Sequence, residues 1–590
     1  MVHGHRVGRT VQVSFTDGQL MIRLGTASGG IAFLLAMVCA FAPVETNAQT
    51  PLEKHDAAKK SIEAADIEPA RITWHVPDPI LERPSVLQRL AQVRETGNET
   101  EIHKAERALE RIDLIVRKER LTMSLEDCVY RFLQFNYGIE AQSFSPAIET
   151  TRVVEAQSAF DAVFYANISK NLIDRPTGSQ LAATEVDQFS STYGIRKTLS
   201  TGMTVQGSWE LNRQKIPLQF QLINPEWTST LNLELRQPLL RGFGIDFNRS
   251  QIRLAKNNRA LSDWTFRRQV RDALRNVEEL YWRLVQARRD IAITVRLLGE
   301  FEAIYRYLVA RSEFDVIPVQ LDATKARLER ERANFVRRRD NVFNAEDRLL
   351  AVLNDPELPI GGRTEIIPDD FPQLSRIDVD PIAEVQTALD HRPELKEQEL
   401  TIANARIAVG QATNLELPRV DVTFRYSIDG LAINADGAFD QMTTSDFQTY
   451  FILVDVEIPI GNRGPRAARQ RAELQRRQAE KALQARMEEI ILDVHLSARN
   501  IRTTYEQIGP SFESAESRER EVSSIVARAE RKDINTLNSE LGAREALAAE
   551  RRSMLAAMVE YNIAIIDLER AKGTLLEYNN IELPFASESP

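Results

Sequence analysis

Residues 266–308 read FRRQVRDALRNVEELYWRLVQARRDIAITVRLLGEFEAIYRYL. Apolar side chains recur along this stretch in alternating steps of four and three residues for about six heptads, with Thr294 as the one polar member. Arginine, aspartate and glutamate fill most of the other positions. The pattern predicts a long helix with a narrow coiled-coil seam and a solvated outer face, rather than the wider stripe of a globular helix. The seam consists of Phe266, Val270, Ala273, Val277, Leu280, Leu284, Ala287, Ile291, Leu298, Phe301, Tyr305 and Leu308.

The same seam returns 217 residues further along the chain. Polar residues take a few of its positions, but the steps of four and three are kept. Its apolar members are Leu483, Met487, Ile490, Val494, Ile501, Ile508, Ala515, Val522 and Ile525. A long helix is therefore predicted twice, over residues 249–311 and 465–532, and we interpret the chain as two tandem copies of one unit.

Composition limits the classes of function. The chain has 590 residues, of which 43% are hydrophobic and 27% charged, and its net charge is −10. A negative chain offers no basic surface for a nucleic-acid backbone, so we expect no nucleic-acid partner. The seven histidines occur singly, and no nucleophile or phosphate-loop motif is present. We therefore expect no enzymatic activity, no catalytic residue, no metal site and no cofactor.

The N-terminal region predicts export. Residues 31–41, IAFLLAMVCAF, form an apolar run of signal-peptide length, and a cleavage site follows before Gln49. We expect residues 1–48 to be a signal peptide, with Met21 as an alternative start. A lipoprotein signal ending at Cys39 is the other interpretation. Once the leader is removed, Cys128 would stand alone, so no intrachain disulfide is expected.

Both units predict the same order of elements: helix, strand, strand, long helix and returning helix. The predicted first helices cover 124–158 and 381–416, and the returning helices cover 319–353 and 536–576. The domain boundaries follow from this order. They are 49–120 for a linker and helical extension (its helix over 99–118), 121–354 for the first repeat, 355–379 for an inter-repeat linker, 380–577 for the second repeat and 578–590 for a tail.

Two strands are predicted in each unit, over 162–169 and 229–237 and over 419–428 and 449–459. They are about ten residues long, which is the length that a tilted strand needs to cross a bilayer. Four strands per chain cannot close a barrel, and an open edge in lipid would leave backbone groups unpaired, so sister copies are required. Two copies would give eight strands and three would give twelve; a conduit requires the larger number.

The segment that connects the two predicted strands differs between the two units. In the first unit an additional hairpin is predicted, with strands 189–199 and 203–211 turning at Ser200-Thr201-Gly202. In the second unit, residues 429–447 carry two glycines and four aspartates and are predicted to be an exposed loop.

A family resemblance rests on the ends of these strands. Residues 233–244 read LELRQPLLRGFG and precede a long helix that contains Tyr281-Trp282, and the second-unit counterpart, residues 456–464, reads VEIPIGNRG. With the repeated order of elements, this resembles the TolC family of outer-membrane efflux factors over nearly the whole mature chain.

The resemblance implies a fold that is mainly α with a β-barrel part. It implies a homotrimer in the outer membrane, with a twelve-stranded barrel continued by a periplasmic coiled-coil tunnel. Such a protein is a passive conduit in a tripartite efflux or type I secretion system. Its expected partners are outer-membrane lipid, a periplasmic adaptor protein and an inner-membrane transporter.

The resemblance also implies site residues. The barrel-to-helix junctions are expected at Pro238, Gly242, Pro418, Pro459 and Gly461. The periplasmic tip is expected near Asp315, Asp322, Asp533 and Glu540, with adaptor contacts at the turns near Asp315 and Asp533. Asp322, Asp533 and Glu540 are candidate gate residues; the alternative is that they are solvated acids near helix N-termini.

Independently of the resemblance, four aromatic residues flank the predicted strands: Tyr193, Trp209, Trp227 and Tyr450. They are interpreted either as an interfacial girdle or as ordinary strand packing.

A second class of function fits part of the sequence. An exported coiled-coil spacer or envelope tether, with no channel, would explain the heptads and the leader. It would not explain why strands of membrane-spanning length interrupt the helices at matching places in both units.

Overall fold

A computed structural model describes residues 120–176, 185–216, 221–311, 316, 318–362, 364–528 and 534–583, together with three short strands nearer the N-terminus. The predicted extension helix over 99–118 lies outside these residues. The strands are β1 (Ser14–Thr16), β2 (Gln19–Met21), β3 (Thr73–Trp74), β4 (Arg120–Met123), β5 (Val163–Asp174), β6 (Glu185–Thr198), β7 (Thr204–Lys215), β8 (Glu226–Pro238), β9 (Glu365–Pro368), β10 (Arg419–Ala432), β11 (Phe447–Glu457) and β12 (Ile581–Glu582). The helices are α1 (Leu125–Phe135), α2 (Tyr137–Ser158), α3 (Ile245–Asn248), α4 (Ser250–Ala310), α5 (Pro318–Leu353), α6 (Pro381–His391), α7 (Pro393–Glu416), α8 (Ala435–Thr444), α9 (Arg463–Arg528), α10 (Ile534–Lys572) and α11 (Leu575–Tyr578).

The chain forms two compact units. The sheet unit comprises residues 1–65, 154–254 and 407–473, and the helical unit comprises residues 66–153, 255–406 and 474–590. Each unit thus draws on both halves of the chain. Among the described helices, none combines the length and the apolar character needed to cross a membrane.

The sheet unit is built on six antiparallel strands in the order β11-β10-β8-β7-β6-β5. The predicted count of four strands per chain is therefore wrong. The predicted hairpin is present as β6 and β7, but it lies inside the sheet, between β5 and β8, and its strands are as long as their neighbours. A count of twelve strands from three copies does not follow from six strands per chain.

The two faces of the sheet differ in polarity. Side chains alternate between the faces of a strand, and residues paired across a ladder share a face. One face, here called the apolar face, carries Val422, Phe424 and Tyr426 of β10, Leu231, Leu233 and Leu235 of β8, Val205, Trp209 and Leu211 of β7, and Tyr193 and Ile195 of β6. The opposite, polar face is tied together by hydrogen bonds. Arg425 donates to Glu234 at 2.6 Å, and Thr230 donates to Asp429 at 2.7 Å.

The segment between β10 and β11 is partly helical, which corrects the predicted exposed loop over 429–447. Helix α8 packs on the apolar face of β8 and β10, with Ala438 and Met442 buried. The Phe439 ring meets Trp209 edge to face, with the ring centroids 5.9 Å apart. Gly430 lies so close beneath the helix that a Cβ there would be 2.1 Å from the Ala438 carbonyl oxygen.

Gly430→Ala is expected to displace α8, because the added methyl group would meet helix backbone rather than a flexible side chain. Overpacking of this kind costs about 1–3 kcal/mol. The measurement is limited proteolysis between β10 and β11, with thermal unfolding in detergent. Gly410→Ala is the matched control, since nothing lies within 4 Å of a Cβ built at Gly410. Equal proteolysis of the two variants would show that α8 is not seated on Gly430.

The helical unit has a core that joins segments distant in sequence. Phe132 of α1, Tyr281 of α4, Leu349 of α5 and Val559 of α10 belong to one buried cluster. The Tyr281 hydroxyl donates to the Asp370 carboxylate at 2.5 Å, which fixes the chain ahead of the second repeat. This tyrosine of the family motif is therefore a packing residue of the helical unit.

Helix α4 shows a wider buried surface than predicted. The seam residues Phe266, Val277 and Phe301 are buried, but so are Leu274 and Tyr281, which lie outside the seam. Residues of α4 belong to buried clusters that also contain residues of several other helices. One narrow seam on α4 could not contact all of these helices. The expectation of a strict seam is wrong for α4. In the second repeat, Met487, a member of the predicted seam, is 36% exposed.

Two of the predicted helices are interrupted. The predicted helix over 124–158 is split at Asn136, whose side chain accepts a hydrogen bond from the Ile139 N–H and so caps α2. The predicted helix over 381–416 is split at Arg392, which precedes Pro393 and has extended backbone. The residue before a proline is held out of the helical region by a steric clash, which explains the second break. Helix α1 begins with a capping box formed by Ser124 and Asp127.

Candidate functional site at the strand-to-helix junctions

The candidate site lies where sheet strands lead into the long helices. Strand β8 ends at Pro238, and Pro418 immediately precedes β10. The backbone brings these two prolines to neighbouring positions: the Leu239 N–H donates to the Val420 carbonyl at 2.7 Å, and the Arg241 N–H donates to the Pro418 carbonyl at 3.2 Å. Proline cannot donate a ladder hydrogen bond, so it suits a strand end at this point.

Gly242 is the turning point of this first junction. Its φ is +88°, a left-handed conformation that favours glycine. The Gly242 N–H donates to the Asn414 side-chain oxygen at 2.7 Å, and the Asn414 amide donates to the Phe243 carbonyl at 3.0 Å. Asn248 donates to the Gly242 carbonyl at 2.9 Å. The side chains of two asparagines therefore form hydrogen bonds with the backbone groups of the turn.

The second junction follows β11, which ends at Glu457, and passes through Pro459 to Gly461, whose φ is +90°. The Asn462 amide donates to the Glu416 carbonyl at 2.7 Å. The Glu416 carboxylate forms an ion pair with Arg469 of α9 at 2.7 Å. The last turn of α7 therefore contacts both junctions, through Asn414 on one and Glu416 on the other.

Asn414, Asn248 and Glu416 were missed by sequence reasoning. Asn414 contacts Gly242 across a separation of 172 residues, and no local pattern predicts such a pairing. One signal was present: Asn414 stands in the final turn of a helix that ends just before Pro418, where a free polar side chain is suited to pair with a neighbouring backbone.

Asn414→Ala is expected to loosen the first junction by removing two hydrogen bonds, each worth about 1 kcal/mol. Unfolding in detergent should begin at a lower temperature, and proteases should cut more readily within residues 239–249. Thr413→Ala is the matched control, because the Thr413 hydroxyl donates to the Val409 carbonyl within its own helix. If the two variants resist protease equally, the Asn414 contacts do not hold the junction.

The predicted aromatic residues share the apolar face of the sheet. Tyr193 and Trp209 are stacked with centroids 5.9 Å apart, and Tyr450 lies 5.0 Å from Tyr426, which sequence reasoning did not select. Trp227 lies four residues nearer the loop end of β8 than Leu231, the residue paired with Trp209. A role at the membrane interface stays a prediction.

The predicted tip residues are only partly described. Asp315 and Asp533 lie outside the described residues. Asp322 is exposed on α5. Glu540 is 3% exposed and accepts a hydrogen bond from Arg544 at 2.7 Å; Arg544 also pairs with Glu300 at 2.7 Å. Burial alone would lower the pKa of Arg544, but hydrogen bonds to Glu540 and Glu300 outweigh it and raise that pKa. Glu540 is thus paired with an arginine of its own helix, and its role as a gate residue stays a prediction.

No group of histidine, cysteine or acidic side chains among the described residues could hold a metal ion. A sheet with one apolar and one polar face, whose strands end at prolines ahead of long helices, is the arrangement that the sequence predicts for an outer-membrane channel.

The sequence model of the outer membrane efflux protein family matches residues 385–574. A comparison with curated protein sequences finds no match. Among solved structures, a membrane protein from Pseudomonas aeruginosa is similar, with a TM-score of 0.57 and 17% identity over 76% of this chain and 92% of that chain. The CmeC outer membrane channel of Campylobacter jejuni has a TM-score of 0.57 and 16% identity over 76% and 86%. The open state of the MtrE outer membrane channel of Neisseria gonorrhoeae has a TM-score of 0.54 and 14% identity over 76% and 89%.

These matches confirm the resemblance to TolC-family outer-membrane efflux proteins. The matched family and the channels CmeC and MtrE are named for the outer membrane, which agrees with the predicted location. CmeC and MtrE are outer membrane channels, which agrees with the prediction that this chain is not an enzyme. At this level of identity, the solved structures support the fold alone.

Proposed function

We propose that three copies of this chain form a passive outer-membrane channel of a tripartite export system. A periplasmic adaptor would bind the helical part, and an inner-membrane transporter would supply the cargo and the energy. The observation that carries this proposal is the six-stranded sheet with one apolar face, one polar face and two open edges. Outside the area that α8 covers, an apolar face suits contact with lipid, and a polar face suits a water-filled lumen.

The open edges support assembly from several copies. Among the described residues, strand β5 and strand β11 each have one ladder partner, and nearly all the residues of these two strands are exposed. Ile168 and Leu172 on β5 and Ile452 on β11 are 64–70% exposed. In lipid, each unpaired backbone group would cost several kcal/mol, so the edges need partners. Pairing of β5 in one copy with β11 in the next would satisfy both edges.

A tether without a channel remains the alternative class, and purification decides between the two. We expect the protein to need detergent, to run as an assembly of three copies and to give a large, steady conductance in planar bilayers. Fractionation supplies the control: a tether would leave the envelope in high-salt washes. A soluble monomer without conductance would overturn the proposal.

A further inference from the structure

We propose that the β6–β7 hairpin is part of the channel wall, so that each copy contributes six strands and three copies close an eighteen-stranded barrel. This inference rests on the proposed function, and it replaces the twelve strands implied by the family resemblance. The alternative is that the hairpin folds away from the wall as an accessory loop. Three observations on the sheet unit favour the wall.

The first observation is the place of the hairpin in the sheet. Strand β6 pairs with β5 from Val163↔Arg196 to Asp174↔Glu185, and β7 pairs with β8 from Thr204↔Arg236 to Gln214↔Glu226. Strand β5 has no other ladder partner in the part of the chain that the structure describes. It is therefore connected to the rest of the sheet only through the hairpin. If β5 is in the wall, β6 and β7 must be there too.

The second observation is that the hairpin keeps the polarity of both faces. Tyr193 and Ile195 of β6 and Trp209 of β7 continue the apolar face of β8. Thr192, Arg196, Gln206, Ser208, Glu210 and Asn212 continue the polar face. The Phe439 ring of α8 contacts Trp209, but the rest of the hairpin's apolar surface is aligned with that of β8, as a hairpin in the wall requires.

The third observation is the anchoring of the hairpin turn. The Gly244 N–H of the first junction donates to the Thr201 carbonyl at 3.2 Å. Gly202 is packed so tightly that a Cβ there would lie 2.5 Å from the Gly242 carbonyl oxygen. The turn is thus held at the same end of the sheet as the strand-to-helix junctions, and both hairpin strands run the full length of the neighbouring strands.

Closure of such a ring is consistent with strand direction. The six strands alternate in direction, so β5 and β11 run antiparallel and can pair between copies without a parallel contact. Strands about 4.8 Å apart and tilted by about 40° give a barrel about 24 Å across for twelve strands and about 36 Å across for eighteen. At the level of the sheet, the lumen would therefore admit bulkier hydrophilic solutes than a twelve-stranded barrel.

The test compares the full chain with a variant that lacks residues 185–215, both in nanodiscs by cryo-electron microscopy. The ladders place Val163, Arg196, Gln206 and Glu234 in one row, so β5 could pair with β8 in the variant and keep its faces. We expect eighteen strands in the full chain and twelve in the variant, with a correspondingly narrower barrel. Three copies of the full chain with twelve strands would overturn the inference and leave the channel function intact.

A matched pair of cysteine variants keeps the inference testable if the deletion variant does not fold. Ile195→Cys lies on the apolar face and Arg196→Cys on the polar face of β6. In liposomes, we expect a charged maleimide to label Arg196→Cys at least tenfold faster than Ile195→Cys. The unsubstituted chain, whose Cys128 is buried, gives the background. Equal labelling in a conducting trimer would place the hairpin outside the wall.

A dimer with twelve strands would also overturn the eighteen-stranded wall. Loss of conductance in the full chain would count against the proposed function itself.

Discussion

Replacement of Leu233 by arginine is expected to remove the protein from the outer-membrane fraction. Leu233 lies near the middle of β8 on the apolar face, between Gly207 of β7 and Tyr426 of β10. An arginine on the lipid-facing surface near the bilayer midplane costs about 2–4 kcal/mol in a membrane barrel. Every copy of the assembly would bear that cost, so folded channel should fall by more than tenfold.

Asn232→Arg is the matched control for this experiment. Asn232 is the preceding residue of the same strand and lies on the polar face, in one row with Ser208 and Ser427. An arginine there would face water in the lumen, and Arg425 and Arg236 already occupy that face. The control should assemble normally and change only conductance or ion selectivity. If both variants assemble equally well, the assignment of the faces to lipid and lumen is wrong.

The alternation of polar and apolar residues that supports this prediction was visible in the sequence of β10. The ladder partners of each strand were not visible in the sequence. The hairpin β6–β7 was predicted from its own residues and its Gly202 turn. Its position between β5 and β8 depends on ladder pairs between residues far apart in the chain, such as Thr204 with Arg236. The count of strands per chain failed for that reason.

The prediction of an exposed loop over residues 429–447, where α8 lies, failed for a different reason. Helix α8 is ten residues long and contains Gly437 and two aspartates, so its own helical propensity is poor. Its stability comes from the Asn434 cap, which accepts from the Gly437 N–H, and from packing of Met442 on Ser229. Short helices depend on tertiary contacts, and those contacts are not written in the local pattern. The long helices were predicted within a few residues because their periodicity extends over many turns.

Glu278→Gln is expected to make the helical unit more stable at pH 8 and to leave it nearly unchanged at pH 4.5. Glu278 is a carboxyl group of α4 that is 1% exposed. Burial raises its pKa from 4.5 to about 8, although the Asn579 side chain, which donates to Glu278 at 2.8 Å, partly opposes the shift. At neutral pH the folded protein therefore holds a proton at Glu278 that the unfolded chain has released.

The sign of the pH dependence follows from this difference. Below pH 4.5 the group is protonated in both states, and its contribution to stability is fully present. As the pH rises toward about 8, the unfolded chain is favoured by ionising a carboxyl group that the folded protein keeps neutral, so the contribution is lost. One pKa unit corresponds to about 1.4 kcal/mol, so the loss across this window reaches several kcal/mol.

Thermal unfolding of the detergent-solubilised protein between pH 4.5 and 8.5 measures the effect. The wild-type protein should lose stability relative to Glu278→Gln as the pH rises, because glutamine cannot ionise. Glu329→Gln, on the exposed face of α5, should follow the wild-type curve. Asn579→Ala provides a second check, because it removes the donor that favours the ionised carboxylate of Glu278. The loss of stability in this variant should therefore extend to a higher pH than in the wild type. Parallel curves for the wild type and Glu278→Gln would mean that Glu278 is ionised in the folded protein, and its burial against Asn579 would then need a cationic partner or water.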